Sequence, residues 1–188
     1  MTVTKRKDSR LAKVFVHKIA DIRGGVSVAV ADLRNDFLKE GTPISAPVSG
    51  VCHVVKFAKV QTDAANNAVK IKIYKGSDFK IGDVVCAAED GAAYAISAID
   101  TSYADYDEIT IGTTLGVALT KDTSCIYEAA SAGASGSALK YKPLALVGTG
   151  RPVVSGVNID TDAWLIGVTK GNELPAIIAG KLSGIINY

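Results

Sequence analysis

The chain has 188 residues, of which 48% are hydrophobic and 21% are charged, and its net charge at pH 7 is +2. This length and composition exclude a disordered protein and a small disulfide-stapled one. The low net charge argues against a protein whose whole surface binds nucleic acid. The charge is unevenly distributed: residues 1–80 carry 15 Lys and Arg against 7 Asp and Glu, whereas residues 81–188 carry 6 against 12. This polarity predicts contact with a partner, either between subunits or between the basic end and an acidic surface.

The first predicted element is a basic segment, TKRKDSRLAK (4–13), in which a single anion, Asp8, stands among five cations. The cations are Lys5, Arg6, Lys7, Arg10 and Lys13. Unpaired ammonium and guanidinium groups are costly to remove from water, so this segment is not expected in a core. We predict a basic N-terminal arm over residues 1–13 that is ordered only on a partner.

A series of short β-strands is predicted after the arm. The alternating stretches KVFVHKI (13–19) and GVSVAVADL (25–33), with IRGG between them, predict a β-hairpin within residues 14–36 that links the arm to the core. Pro43 and Pro47 exclude a helix from the next segment. Further apolar runs follow at 51–60, 68–76, 83–88, 93–100, 108–116, 124–130, 144–149 and 163–171. This spacing predicts a mainly β fold, a β-barrel or β-sandwich of many short strands, with a β-rich domain over residues 37–188.

Two segments lack strand patterning. EAASAGASGSALKY (128–141) is rich in Ala, Ser and Gly and is interpreted as a flexible surface excursion. LPAIIAGKLSG (174–184) has Pro175 early and Gly184 late, which favours a short helix or 3₁₀ turn before a terminal strand, IINY.

Three cysteines, Cys52, Cys86 and Cys125, lie in separate apolar runs. They are interpreted as small buried hydrophobes in a reducing compartment, and not as a disulfide framework or a zinc site. Charged residues interrupt the apolar stretch after the arm, and no apolar run approaches the roughly 18 residues of a membrane span. We therefore expect no signal peptide and no contact with a membrane.

Residues that could support catalysis are scarce. The two histidines, His17 and His53, both fall in predicted strands, and no nucleophile motif, phosphate-binding loop or paired CxxC occurs in the sequence. GTGRPVVSG (148–156) precedes a β run and not a helix N-terminus, so a turn is favoured over a phosphate site. The sequence predicts a protein that is not an enzyme and has no cofactor.

The segment DTSYADYDE (100–108) concentrates four carboxylates, which belong to Asp100, Asp105, Asp107 and Glu108. Oxygen ligands of this kind suit a hard cation such as calcium, although the spacing does not match an EF-hand loop. A solvated hairpin loop is the favoured interpretation. A third alternative is that the carboxylates receive the lysines of a neighbouring subunit.

Several motifs together resemble the head-fibre or capsid-decoration proteins of tailed phages that infect Bacteroides-type bacteria. They are FLKEGTPISAPVSG (37–50), KFAKV (56–60), YKGSDFKIGDVV (74–85), the long stretch AYAISAIDTSYADYDEITIGTTLGVAL (93–119) and ALKYKPLALVG (138–148). Residues 1–36 and the last 40 residues fit the family pattern less well.

This resemblance implies a β-rich domain on the outside of an icosahedral shell, without enzymatic activity. Such a protein contacts the major capsid protein and is usually an oligomer, and a trimer is favoured. It is made in the host cytoplasm and resides in the virion. The arm, through the cations named above, is the expected capsid contact and would stabilise or decorate the head.

Two other classes remain open. A basic arm is also typical of nucleic-acid-associated proteins, but outside residues 1–13 the net charge is −2 and aromatic residues make up only 6% of the chain, which makes nucleic acid an unlikely partner. A carbohydrate-binding or adhesion display module is compatible with the β fold if Trp164, Tyr103 and Tyr106 are exposed, so a glycan ligand is the second alternative.

Overall fold

The structure is a computed structural model, and it describes residues 13–188. Nearly all regular secondary structure in this range is β-strand, which confirms the mainly β prediction. The strands are β1 (Phe15–Asp21), β2 (Val26–Val28), β3 (Phe37–Leu38), β4 (Pro43–Ser45), β5 (Phe57–Lys59), β6 (Lys70–Tyr74), β7 (Val84–Cys86), β8 (Ala93–Asp100), β9 (Tyr106–Ile111), β10 (Cys125–Glu128), β11 (Pro143–Val147), β12 (Arg151–Pro152), β13 (Ile159–Thr161), β14 (Ala163–Thr169) and β15 (Ile185–Asn187). A 3₁₀ turn at Val30–Asp32 and one α-helix, α1 (Ala176–Ala179), complete the elements of the described range.

Two larger sheets organise these strands. The first is six-stranded and antiparallel, in the order β5-β10-β7-β8-β9-β6. The second contains β1-β14-β11-β4, with β15 added parallel to β14. Two small pairs, β12-β3 and β13-β2, complete the topology. The six-stranded sheet is built from one continuous stretch of chain, whose two ends meet where the Glu128 N–H donates to the Lys56 carbonyl at 3.1 Å.

The six-stranded sheet surrounds a core but does not close into a barrel. Its end strands, β5 and β6, meet at a single bridge between Val60 and Ile73, beside a 2.9 Å hydrogen bond from Gln61 N–H to the Lys72 carbonyl. A closed barrel requires a continuous ladder between its first and last strands. The sheets are therefore open, which fits the sandwich-like alternative and not the barrel.

Alternation of side chains explains the central ladder. In β6, Ile71 and Ile73 are buried while Lys70 and Tyr74 face solvent. The partner strand β9 also alternates, and its buried positions include Ile109. Successive side chains of a strand point to opposite faces, so residues two positions apart share a face. Burial of each isoleucine stabilises the sheet by about 1.5–3 kcal/mol.

Three hydrophobic clusters form the core. One lies within the six-stranded sheet around Phe79, and the second lies within the other sheets around Leu38 and Ile44. The third joins Cys86 and Tyr127 of the six-stranded sheet to Ile178 and other residues of the second sheet and C-terminal region. Because this third cluster is shared, the two larger sheets pack against each other.

The predicted hairpin within residues 14–36 is wrong. A turn is present at the expected place, since Gly25 N–H donates to the Ile22 carbonyl at 3.0 Å. The strands on either side of it do not pair with each other: β1 pairs with β14 and β2 pairs with β13. The turn is thus a bend in a long ribbon whose other side is β13 and β14. Local sequence specified the turn, whereas the partner strands come from the opposite end of the chain.

The segment 128–141 is not helical, and most of residues 131–140 are exposed, as expected for a surface excursion. It is attached to the six-stranded sheet at a few points. Gly133 and Ala93 exchange two backbone hydrogen bonds of 2.8 and 2.9 Å, and the Ser137 hydroxyl donates to the Ala88 carbonyl at 3.0 Å. The short helix and terminal strand predicted near the C-terminus are confirmed as α1 and β15.

Candidate functional site

Most of the predicted arm lies outside the described residues, so the assignment of Lys5, Arg6, Lys7 and Arg10 as contacts stays a prediction. Lys13 is the first described residue, and it is exposed. It stands two residues before β1.

Strand β1 is an edge strand with an exposed apolar character. It pairs with β14, and no described strand pairs with its other edge. Val16 and Ile19 are 55% and 59% exposed, respectively. Irregular register along β1 limits indiscriminate pairing, yet the edge still offers backbone groups to a partner. We call this unpaired edge of β1, with its exposed Val16 and Ile19, the β1 edge.

Beside this edge lies an exposed sheet surface, which we name the outer face: His17, Ile166, Val168 and Ile186. His17 is opposite Val168, which is in turn opposite Ile186. Cross-strand neighbours share a face of the sheet, and Ile166 joins that row because it lies two residues from Val168. Ile166 and Ile186 are both exposed, so apolar area continues from β1 across β14 to β15.

The four predicted acidic residues do not form a common site. Asp107 points inward from β9 and is 1% exposed. Arg34 donates a hydrogen bond to its carboxylate, and the Lys75 ammonium lies 2.9 Å from Oδ1. Burial alone raises the pKa of Asp107, but the hydrogen bonds from Lys75 and Arg34 outweigh burial and lower it.

The other three carboxylates are dispersed around the same hairpin. Glu108 accepts a hydrogen bond from Lys70 at 2.7 Å. Asp100 accepts one from the Ser102 N–H at 2.9 Å, and hydrogen bonds from Ser102 lower its pKa. Asp105 is exposed in the turn. Across residues 13–188 no three His, Cys, Asp or Glu side chains are arranged to hold a metal ion. The hairpin itself, β8 with β9, is as predicted.

The histidines and cysteines occupy structural positions. His17 is exposed on β1, whereas His53 Nδ1 lies 2.9 Å from Asp32 Oδ2 and its ring stacks on Tyr141 at 4.2 Å. The thiols of Cys52 and Cys86 are free and buried, and the thiol of Cys125 is free and partly buried. Burial raises the pKa of each thiol, which keeps it protonated and unreactive at neutral pH.

Aromatic residues considered for glycan contact differ in availability. The Trp164 indole donates to Asp162 at 2.7 Å, and the Lys18 ammonium lies 5.3 Å from its ring centre. Tyr103 and Tyr106 stack on each other at 4.4 Å near the hairpin turn, and Tyr103 is exposed. The tryptophan is therefore engaged within its own sheet, and the tyrosine pair is the more open of the two.

Sequence patterns did not predict a cleft where the chain crosses from one large sheet to the other. Its inner part measures about 250 Å³ and its outer part about 600 Å³. The two parts share five lining residues and so form one space, which we name the lysine cleft. The shared residues are Lys39, Phe57, Lys59, Tyr74 and Lys75.

The cations of the lysine cleft differ in how they are neutralised. The Lys59 ammonium lies 2.8 Å from Glu173 Oε2, and this hydrogen bond raises the pKa of Lys59. Lys75 is held by Asp107, as described above. Lys39 is exposed and has no carboxylate within ion-pair distance in the described part of the chain. Its ammonium is the one in the cleft lining that makes no ion pair within the described residues.

The inner wall carries two further polar groups. The Ser77 hydroxyl oxygen is buried and has no hydrogen-bond partner among the described residues. Lys56 is buried, with its ammonium 2.7 Å from Asp83 Oδ2 and 3.4 Å from Glu128 Oε1. Glu128 also binds Lys140 at 2.7 Å. Burial raises the pKa of Glu128 in spite of these lysines.

The cleft lysines lie inside three of the motifs that carry the family resemblance. Lys39 belongs to LKEGTP, Lys59 to KFAKV and Lys75 to YKGSDF. The sequence shows a lysine in each motif, but only the tertiary fold shows that the three lysines line one cleft.

The comparisons with known proteins return nothing for this chain. No protein-family model, no curated protein and no solved structure matches it. Within residues 13–188, no helix has the length and apolar character needed to span a membrane.

Proposed function

We propose that this chain is a structural protein of a phage particle, located on the outer surface of the capsid. It binds the major capsid protein through its basic N-terminal arm, stabilises or decorates the head, and catalyses no reaction. The observation that carries the proposal is the continuity between the basic segment and an exposed edge strand: Lys13 leads within two residues into β1.

The chemistry of the arm favours an acidic protein surface as its partner. Lys5, Arg6, Lys7 and Arg10 can bind carboxylates in a groove between capsid subunits, where ion pairs that exclude water are stronger than those on an open surface. The β1 edge can then add to a strand of the shell through main-chain hydrogen bonds. That mode of binding makes little demand on side-chain identity.

The position of β1 suits a tether. Strand β14 lies between β1 on one side and β11 and β15 on the other. Force on the arm is therefore transmitted through a ladder of hydrogen bonds into the centre of the five-stranded sheet, and not into a peripheral loop.

An oligomer, with a trimer favoured, would strengthen attachment through multivalency. Each copy can bind modestly, because linked arms raise the effective concentration of the next arm at its site. The outer face offers apolar area beside the arm, where a second copy or the shell can pack.

The test uses full-length protein, protein that lacks residues 1–13, and a variant in which Lys5, Arg6, Lys7 and Arg10 are all replaced by Gln. Each is mixed with bare capsids, and the bound copies per capsid are counted by sedimentation and quantitative gel. We expect near-full occupancy for the intact chain and strongly reduced occupancy for both altered forms, with a steep dependence on salt.

Equal occupancy for all three forms would remove the arm from the proposal. A duplex DNA of random sequence serves as the competing partner. If the intact chain bound this DNA more tightly than capsids at 150 mM salt, a nucleic-acid-associated protein would replace the capsid assignment.

A further inference from the structure

We propose that the lysine cleft is a binding site for a sugar acid, that is, a saccharide unit that carries one carboxylate. This inference goes beyond the proposed attachment to a capsid and does not rest on it. The cleft lies between the two larger sheets, a common location for ligand sites, and its volume suits a small ligand.

The ion pairs of the cleft leave one lysine for a ligand. Its outer part is lined by three lysines and by two carboxylates, those of Asp122 and Glu173. Glu173 pairs with Lys59 and Asp107 pairs with Lys75, which leaves Lys39 without an ion-pair partner among the described residues. A ligand carboxylate can pair with Lys39, whereas a polyphosphate or nucleic acid would bring several negative charges against Asp122 and Glu173.

The ammonium of Lys39 is placed close to the opposite wall. A Cβ on Gly76 would lie 3.3 Å from Lys39 Nζ, so the side chain reaches from its own sheet to the turn that follows β6. Gly76 has a φ of +87°, a conformation that favours glycine, and it leaves room for the ammonium. A carboxylate that enters here meets Lys39 from one sheet and the 75–78 turn from the other.

The remaining lining suits the hydroxyl groups and the body of a saccharide. Carboxylates at Asp122 and Glu173 accept hydrogen bonds from hydroxyls, of which a sugar supplies several and a phosphate ion at neutral pH only one or two. The buried Ser77 hydroxyl adds a group that has no partner among the described residues. The rings of Tyr74 and Phe57 provide apolar surface for the C–H face of a pyranose.

The experiment measures binding to the full chain by NMR titration and calorimetry. The probes are D-glucuronic acid, D-glucose as the uncharged match, and inorganic phosphate. We expect saturable binding of glucuronic acid and roughly two- to fivefold weaker binding of both glucose and phosphate, since each lacks part of the contact with the cleft. Equal binding of glucose and glucuronic acid, or tighter binding of phosphate, would overturn the proposal.

Two variants locate the site. Lys39→Gln removes the available cation, and Lys142→Gln removes an exposed lysine that does not line the cleft. We expect K39Q to weaken glucuronic acid binding by roughly two- to fivefold, the range expected for one exposed ion pair, and K142Q to leave it unchanged. An unchanged affinity in K39Q, with the fold intact by thermal unfolding, would overturn the assignment.

The same carboxylate could belong to a free monosaccharide or to the terminal unit of a glycan. An oligosaccharide that ends in glucuronic acid is therefore compared with the monosaccharide. Tighter binding of the oligosaccharide, still dependent on Lys39, identifies a glycan end as the source, and equal binding identifies the single sugar. If neither ligand bound at about 10 mM, a concentration well above the dissociation constants of ordinary weak sites, the site would be excluded.

Discussion

Arg34 and Asp107 lie 73 positions apart in the chain, yet the guanidinium of Arg34 donates a hydrogen bond to the buried carboxylate of Asp107. Arg34 follows the 3₁₀ turn, and Asp107 belongs to β9, the strand next to the β6 end of the six-stranded sheet. Asp78 strengthens the same junction, since it accepts hydrogen bonds from the Arg34 and Asn35 backbone N–H groups at 3.0 and 3.1 Å. An ion pair and hydrogen bonds therefore join the segment after the 3₁₀ turn to the six-stranded sheet.

The substitution Asp107→Asn tests this junction. The pKa of Asp107 is lowered in the folded state, so its stabilising contribution is present above the unfolded pKa and is lost as the pH falls through the folded value. We expect D107N to be less stable than wild type by about 1–3 kcal/mol at pH 7, because Arg34 and Lys75 lose a charged acceptor. The difference in unfolding free energy should shrink as the pH falls below about 4. Urea unfolding at several pH values measures it.

Asp105→Asn is the matched control for that series, since Asp105 is exposed in the same hairpin. We expect its unfolding free energy at pH 7 to lie within about 0.5 kcal/mol of wild type. An equal loss in D105N and D107N would mean that the ion pair with Arg34 contributes nothing specific.

Glu128→Gln should show the opposite dependence on pH. Burial raises the pKa of Glu128 in the folded state, so its contribution to stability is fully present below the unfolded pKa and is lost as the pH rises through the folded value. Glutamine resembles the protonated acid and escapes that loss. We expect the unfolding free energy of E128Q to rise relative to wild type as the pH increases above about 4. A difference that falls with pH would contradict the raised pKa.

Gly41→Ala tests how firmly the start of β1 is held. Gly41 has a φ of +79°, and an added Cβ would lie 2.5 Å from Val14 Cγ2 and 2.9 Å from the Asn172 side-chain nitrogen. We expect a loss of stability beyond the roughly 1 kcal/mol of backbone strain, together with faster exchange of the Lys170 N–H, which donates to the Val14 carbonyl at 2.8 Å.

Gly50→Ala provides the control for Gly41→Ala. Gly50 has a similar φ of +84°, but its added Cβ would meet nothing within 4 Å. It should therefore pay the backbone strain alone and leave exchange at Lys170 unchanged. Identical unfolding and exchange in the two variants would show that Val14 is not held by this contact.

Ile19→Lys tests the β1 edge in the proposed attachment. Ile19 is 59% exposed, so the substitution should change stability by less than about 0.5 kcal/mol. A charge at this edge opposes addition of a further strand, and we expect fewer bound copies per capsid. Ile81→Lys, at a 67% exposed position outside β1, is the control and should bind normally. Loss of binding in both variants would indicate a general charge effect and not an edge contact.

Residue patterns predicted the parts of the fold in which local rules suffice. The hairpin of β8 and β9 follows from alternation on both sides of a polar turn, and α1 follows from Pro175 and the apolar residues after it. The pairing of β1 with β14 could not be predicted in this way. Nothing in the local sequence of either strand selects a partner about 150 positions away.

The candidate site was also predictable only in part. Composition predicted the arm and the acidic cluster. The inward direction of Asp107 depends on the register of β9, and a shift of one residue would reverse it. The lysine cleft depends on three segments that are separate in sequence and meet only in the folded chain. Its lysines appeared in the sequence as ordinary exposed positions on strands and turns.

Because Lys56 and Glu128 are adjacent, the chain enters and leaves the six-stranded sheet at nearly the same point. Such a segment can be exchanged as a unit. Recombination that replaced residues 57–127 with another sheet of similar end spacing would leave the ribbon of β1 and β14 with its own partners.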